Sequence, residues 1–325
     1  MADELDLLRA ADPAPADGPH FGDGPLDHTA ERHLARLLHD NPTPRRRTRP
    51  RLVWSLAAAL VAVATVLTVL LGGSAGTPAV AAPRPLAVRV HSIPVPLAEV
   101  AKLAAVAAQD GSPALLQGTH VQSWSLGMSD GRPPVTLPEE RVVRWAADGS
   151  HTEVVVATDP AHPGRPVLTD DGDRSRLVED GHVLSRRTFP PMWGDAPPLA
   201  TPPHDPAKLR TYLTELIYSH TLTTSELLDA TRELLDNWTL GARESAALAE
   251  LLADAEGLRP AGQVTDRLGR TGQAYVHDEA SGARRMLILD PATGAVLGLE
   301  TTFTRDDPEY GVRAGDVMDY SAWMR

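Results

Sequence analysis

Glu140-Arg-Val-Val-Arg-Trp-Ala-Ala-Asp-Gly-Ser-His-Thr-Glu-Val-Val-Val-Ala-Thr158 places two runs rich in valine on either side of Asp148-Gly149. Asp-Gly accepts the positive φ of a tight turn, so strand-forming runs around it signal an antiparallel hairpin. Residues 140–147 and 151–158 are therefore expected to pair. Residues 175–178 and 182–188 flank Glu179-Asp180-Gly181 in the same way and are expected as a second hairpin. Upstream, residues 118–128 alternate around Val121, Ser123 and Ser125, with Trp124 and Leu126 on one face. Downstream, strands are expected at 273–277, 284–290 and 295–304, with Asp290-Pro-Ala-Thr-Gly294 as the turn between the last two, and one more edge strand at 316–323.

Between these strand groups the period changes from two to about 3.6. Phe189 to Pro206 holds seven prolines and reads as an extended loop. Asp205-Pro206 then opens a helix to about residue 219, with Leu209, Leu213, Leu216 and Ile217 inward. Thr223-Thr-Ser-Glu226 has the form of a capping box opening a second helix, and residues 242–255 form a third, ended by Gly257. An earlier helix is expected over 97–109, with Val100, Leu103, Ala104 and Ala107 as its apolar face. Strands and helices come in runs instead of alternating, which predicts an α+β domain built on an antiparallel sheet. Strands before and after the helical block can join one sheet, so residues 94–325 are expected as one domain covered on one face by helices.

The other decisive stretch is near the N-terminus. Arg45, Arg46, Arg47, Arg49 and Arg51 run directly into twenty uncharged residues, 52–71. That length suffices for a helix to cross the roughly 30 Å hydrocarbon core of a bilayer. Basic residues at one end favour keeping that end in the cytoplasm, and Trp54 suits the interface there. A cleaved export signal has a short start and an apolar run of about 7–15 residues, which fits poorly with some fifty preceding residues. The expected organisation is a cytoplasmic tail over 1–44, a basic stop at 45–51, a transmembrane helix at 52–71, a flexible stalk at 72–93 and an extracytoplasmic domain at 94–325. Within the tail, residues 12–25 read as disordered and 26–40 as a short helix able to dock a partner.

Composition narrows the chemistry. The 325 residues carry a net charge of −12, and nearly all of the excess acidity lies beyond residue 51. An acidic outer domain argues against nucleic-acid binding through phosphate neutralisation. The absence of cysteine excludes disulfides, thiol catalysis and cysteine-ligated metals. Gly127-Met-Ser-Asp-Gly131 matches the serine-hydrolase string, but Arg132-Pro-Pro134 follows it where that motif requires a helix. The acids of Asp170-Asp-Gly-Asp173 lack the spaced ligands and closing glutamate of a calcium loop. Among His28, His33 and His39, no pair stands four residues apart as helical metal ligands usually do. Nothing here indicates an enzyme, a cofactor or a metal.

Gln122-Ser-Trp-Ser125, Arg144-Trp-Ala-Ala-Asp-Gly-Ser150, Pro206-Ala-Lys-Leu-Arg210, Val264-Thr-Asp-Arg-Leu-Gly-Arg270 and Ile288-Leu-Asp-Pro-Ala-Thr-Gly-Ala-Val-Leu-Gly298 together give the outer half a cadence. With the opening Asp3-Glu-Leu-Asp-Leu-Leu-Arg9, it resembles a group of actinobacterial single-pass membrane proteins often encoded beside an extracytoplasmic-function sigma factor. The outer domain is similar, more faintly, to LolA/RseB-like domains, in which a curved antiparallel sheet is partly closed by helices. That likeness implies Trp124, Trp145, Leu289 and Leu297 as core or cavity lining. It implies two roles: an envelope sensor or regulator acting with a cytoplasmic sigma factor through the tail, or a protein binding lipid or lipoprotein in the envelope without a direct transcriptional role.

Overall fold

The computed structural model describes residues 83–128, 133–170, 175–191 and 194–325, together with residues 17–18 and 21–22. The chain separates into two compact units, Met1–Gly73 and Ser74–Arg325. In the first, Asp17–Gly18 pairs antiparallel with Phe21–Gly22, a minimal ladder inside the stretch expected to be disordered. The expected basic stop with Arg45, Arg46, Arg47, Arg49 and Arg51, the interfacial Trp54, the span at 52–71 and the tail helix at 26–40 lie outside the described residues. Among the described residues, no helix is long and apolar enough to cross a membrane.

The second unit is α+β, as the grouping of strands and helices predicts. Helix α1 (Leu97–Ala107) leads into strands β1 (Leu116–Gly127), β2 (Val135–Trp145), β3 (His151–Ala157), β4 (Val167–Asp170), β5 (Ser175–Val178) and β6 (His182–Phe189). Helices α2 (Pro206–Leu216) and α3 (Thr224–Asn237), the short strand β7 (Trp238–Thr239) and helix α4 (Ala242–Ala253) follow. The chain ends with β8 (Arg259–Thr265), β9 (Thr271–Asp278), β10 (Ala283–Leu289), β11 (Val296–Phe303) and β12 (Val317–Met324). The main sheet runs β8-β9-β10-β11-β12-β1-β2-β3-β6, with β7 also paired to β1. Every pairing in it is antiparallel.

Two expectations about strand partners are corrected. Residues 316–323 were expected as an edge, yet β12 lies in the middle, joining the C-terminal strands to β1, with Tyr320 opposite Trp124. Its burial explains the place: Val317, Tyr320, Ser321, Ala322 and Trp323 are all buried, so both faces of the strand are covered. Residues 175–178 and 182–188 do not pair with each other. β5 pairs with β4, and β6 joins β3. The tight turn between them does form, with the His182 amide donating to the Glu179 carbonyl. It is fastened to the neighbouring chain because the Asp180 carboxylate accepts from the Thr158 hydroxyl and the Gly164 amide, each at 2.7 Å. Those bonds hold the Asp180 carboxyl below the usual carboxylate range, and they direct β6 to the free edge of β3.

Alternation along the strands gives the sheet two buried faces. Val121, Tyr275, Leu287, Leu289, Leu299 and Trp323 meet the helices. Trp124, Val264, Ala274, Ile288, Val317 and Tyr320 form a second core on the opposite face. The helices start as the sequence predicts. Asp205 accepts from the Lys208 amide, and Thr223 with Glu226 completes a reciprocal capping box. The turn at Asp290 reaches between two helices: a Cβ on Gly294 would lie 2.7 Å from that of Ala104 and 3.1 Å from that of Ala249. Glycine, at φ +68°, facing two alanines lets this turn seat. Since α1 meets α4 and this turn along a narrow seam, it buries Leu97, Val100 and Ala104, while Leu103, expected inside, is half exposed.

Candidate functional site

The space between helices and sheet is the first place to look for a ligand. Its middle is filled. At its rim a recess of about 420 Å³ opens among Arg210, Ser225, Glu256 and His277, and deeper in lies a hollow of about 50 Å³ among Thr119, Leu235, Trp238, Val296 and Trp323. Ligand pockets typically run to about 300–1,000 Å³, so the inner hollow accommodates a few waters at most. Around it, polar groups fasten α3 to the sheet. Trp323 Nε1 donates to Asp236, Arg232 pairs with Asp319, and Arg141 donates to the Asp236 carbonyl at 3.0 Å while pairing with Glu153. Burial raises the Asp236 carboxyl above its ordinary range, and the Trp323 hydrogen bond offsets part of that rise.

The four residues expected to line a common core or cavity are spread over three environments. Leu289 is fully buried against the helices. Trp124 lies in the opposite core, its ring 5.5 Å from that of Tyr320. Leu297 is half-buried at the margin of that core. Trp145 belongs to neither core; at the end of β2 it stacks on His151 at 4.3 Å, and His151 stacks on Phe189 at 4.6 Å. No single space brings the four together.

The feature missed in the sequence is the segment just before α1. The flexible stalk was expected to extend to residue 93, but residues 84–92 are laid along the sheet as a strap. Val88 bridges Val264 on β8. The Arg89 amide donates to the Gln263 carbonyl at 2.8 Å, and the Gln263 amide donates to Ser92 Oγ at 3.0 Å. Close approach is allowed by Gly262, at φ +126°, beside a bulge in β8; a Cβ there would lie 2.5 Å from Ser92 Oγ and 2.9 Å from Val88 Cγ1. Leu86 and Val88 pack into the second core, whose edge they cover. Leu86, Val88 and Val90 alternate, and that short signal was available behind the prolines that suggested a stalk.

Beneath the strap sits a buried ion pair. Glu300, 1% exposed, accepts from the Leu86 amide at 2.8 Å and from the Arg267 guanidinium. Arg267 also donates to the Arg84 carbonyl and lies over the Tyr320 ring, 5.2 Å from its centroid. Burial raises the Glu300 carboxyl despite the neighbouring arginine, and it raises the Tyr320 phenol as well. The turn that supplies Arg267 is itself tied down. Asp266 accepts from the Leu268 and Arg270 amides, and Arg270 donates to the Trp323 and Leu297 carbonyls at 2.6 Å. One turn, within the Val264–Arg270 motif, thus holds strap, central strand and β11 together. Beside it a surface recess of about 420 Å³ opens among Pro85, Leu86, Arg284, Met286, Glu300 and Phe303. Its size suits a small molecule, with the strap as one wall.

Neither a family model nor a curated protein matches this sequence.

Proposed function

We propose that this protein is a membrane-anchored envelope sensor or regulator, with a LolA/RseB-like outer domain, acting with an extracytoplasmic-function sigma factor through its cytoplasmic tail. The observation that supports this is the strap. The segment leading from the expected span at 52–71 is hydrogen-bonded to β8 and to the buried Glu300. A domain that merely needed tethering could hang from a loose leash. A strap sharing hydrogen bonds with the core gives changes in the domain a physical path to the chain that enters the bilayer. The competing role, holding lipid or lipoprotein between sheet and helices, draws less support, because the middle of that layer is packed with buried side chains such as Leu209, Leu287 and Leu299.

The test uses immobilised residues 1–44 and the purified sigma factor encoded nearest to the gene. Saturable capture is expected, and no capture would remove direct sigma-factor contact from the proposal. Native mass spectrometry of the full chain in detergent addresses the other role, since stoichiometric copurifying acyl lipid would favour it.

A further inference from the structure

The two edges of the main sheet differ. β8 is covered by the strap, whereas β6 pairs only with β3, and no described residue pairs with its outer edge. An eight-residue strand with one free edge presents backbone donors and acceptors that can take up another strand.

Arginines surround that edge. Arg186 and Arg187 stand on β6, and successive residues of a strand point to opposite faces. Arg144 lies on β2 two strands away, its partner across the ladder being Thr152. Among the described residues none of these three has an ion-pair partner, although the chain as a whole carries a net charge of −12. The acid closest in register, Glu153 opposite Arg187, is already paired with Arg141. Between Arg144 and Arg186 lies an open recess of about 480 Å³ with Val142, Val154, Thr152 and Trp145 in its lining.

Arginines on an exposed edge deter pairing between copies of the same chain, because two β6 edges would bring like charges together. The same charges attract an acidic strand. We infer that the free edge of β6 is a docking site for an acidic, extended peptide segment of another protein, added as a tenth strand to the path that ends at β6. Acidic side chains of the incoming strand would meet Arg186 on one face or Arg187 on the other, and Arg144 would add positive charge from across the recess. Backbone hydrogen bonds would supply affinity, and the arginines would select charge. This names the kind of input for the sensor proposed above and rests on that proposal only for its biological meaning.

The test measures fluorescence anisotropy of a labelled (Glu-Val)4 peptide with the full chain in neutral detergent. Saturable binding is expected, weakening with added salt and falling at least tenfold in the Arg144→Glu/Arg186→Glu variant. A (Lys-Val)4 peptide should fail to bind, and so should (Glu-Val)4 methylated at alternate backbone nitrogens. The methylated peptide tests strand addition on the unaltered chain, so the result does not depend on the variant folding. Equal binding of the methylated peptide, or of (Glu-Val)4 to the charge-reversed variant, would overturn the inference. So would binding to vesicles of phosphatidylglycerol with none to the peptide. Peptide failure with tail capture intact removes this docking site and leaves the sensor proposal standing; the reverse pattern separates them the other way.

Discussion

Substituting Gly262 by alanine should release the strap. The new Cβ would sit 2.5 Å from Ser92 Oγ and 2.9 Å from Val88 Cγ1, so the strap must retreat or the bulge in β8 must reshape. A φ of +126° is open to glycine but strained for alanine, at about 1–3 kcal/mol. That strain lies within β8 and persists whether or not the strap is docked. Contact between the side chains is different, since lifting the strap relieves it. Retreat weakens the Arg89-to-Gln263 and Gln263-to-Ser92 hydrogen bonds, each worth about 1 kcal/mol net. Together they shift strap opening by about 2 kcal/mol, or roughly 30-fold, since every 1.4 kcal/mol is a factor of ten. Hydrogen–deuterium exchange on the full chain reads this at the Arg89 amide, which should exchange about 30-fold faster. Amides in the helix-facing core, such as those of β10, should slow or quicken only with global stability. If Arg89 keeps its protection within twofold while global stability falls, the strap is not held by this close approach.

Three further outcomes are expected. Leu287→Ala, at a fully buried position under the helices, should cost about 2–5 kcal/mol, read as a lower urea midpoint. Trp323→Phe removes the indole donor to Asp236 and should cost about 1–3 kcal/mol. Because burial already raises the Asp236 carboxyl, the stability it contributes is present at low pH and lost as pH rises through its folded value. The Trp323→Phe deficit should therefore be larger at pH 7 than at pH 3, and a pH-independent deficit in urea unfolding would count against this account. Glu226 has the opposite sign: hydrogen bonds from the Thr223 amide, then from the Thr223 and Ser219 hydroxyls, lower its carboxyl to about 2. Its contribution is present above about pH 4.5, the ordinary glutamate value, and lost as pH falls towards 2. Urea midpoints of the unaltered chain and of Glu226→Gln should accordingly differ at pH 6 and converge near pH 2.

Local chemistry made the helices and most hairpins legible. The Asp205 and Thr223 caps, and the turns at Asp148-Gly149 and Asp290–Gly294, are decided by residues within five positions of one another. Pairing partners were harder to read, since they depend on which edge is free. The turn at Glu179 forms as expected, yet β6 continues to β3 because Asp180 is held by Thr158 and Gly164. β12 looked peripheral because it ends the chain; its central place follows from burial on both faces, which alternation alone does not reveal. β8 was missed as a strand because Pro260 and Gly262 interrupt it, and those residues mark the bulge where the strap fits. The strap was obscured for a related reason, since prolines made its surroundings read as stalk. Trp145 and Trp124 looked equivalent by residue type, but strand register sends them to a half-buried stack and a buried core.

The two ends of the sheet bear on how a sensor of this kind could be arranged. An open sheet has two edges, and an exposed edge invites unwanted pairing unless it is covered or charged. Here one edge is covered by the segment nearest the expected span, and the other carries arginines without described partners. Those are different devices, and they differ in what they leave available. Covering β8 occupies the Gln263 amide and carbonyl and joins the strap to Glu300 and to the Asp266–Arg270 turn. Charging β6 leaves its backbone free and rejects only partners of the same sign. A partner strand can therefore enter at β6 without first displacing the strap, while the strap remains fastened to the same continuous ladder through β12 and β1. Under the two proposals, recognition would fall at one edge and attachment at the other, so mutations that abolish peptide binding should leave Arg89 exchange in the unliganded chain unchanged.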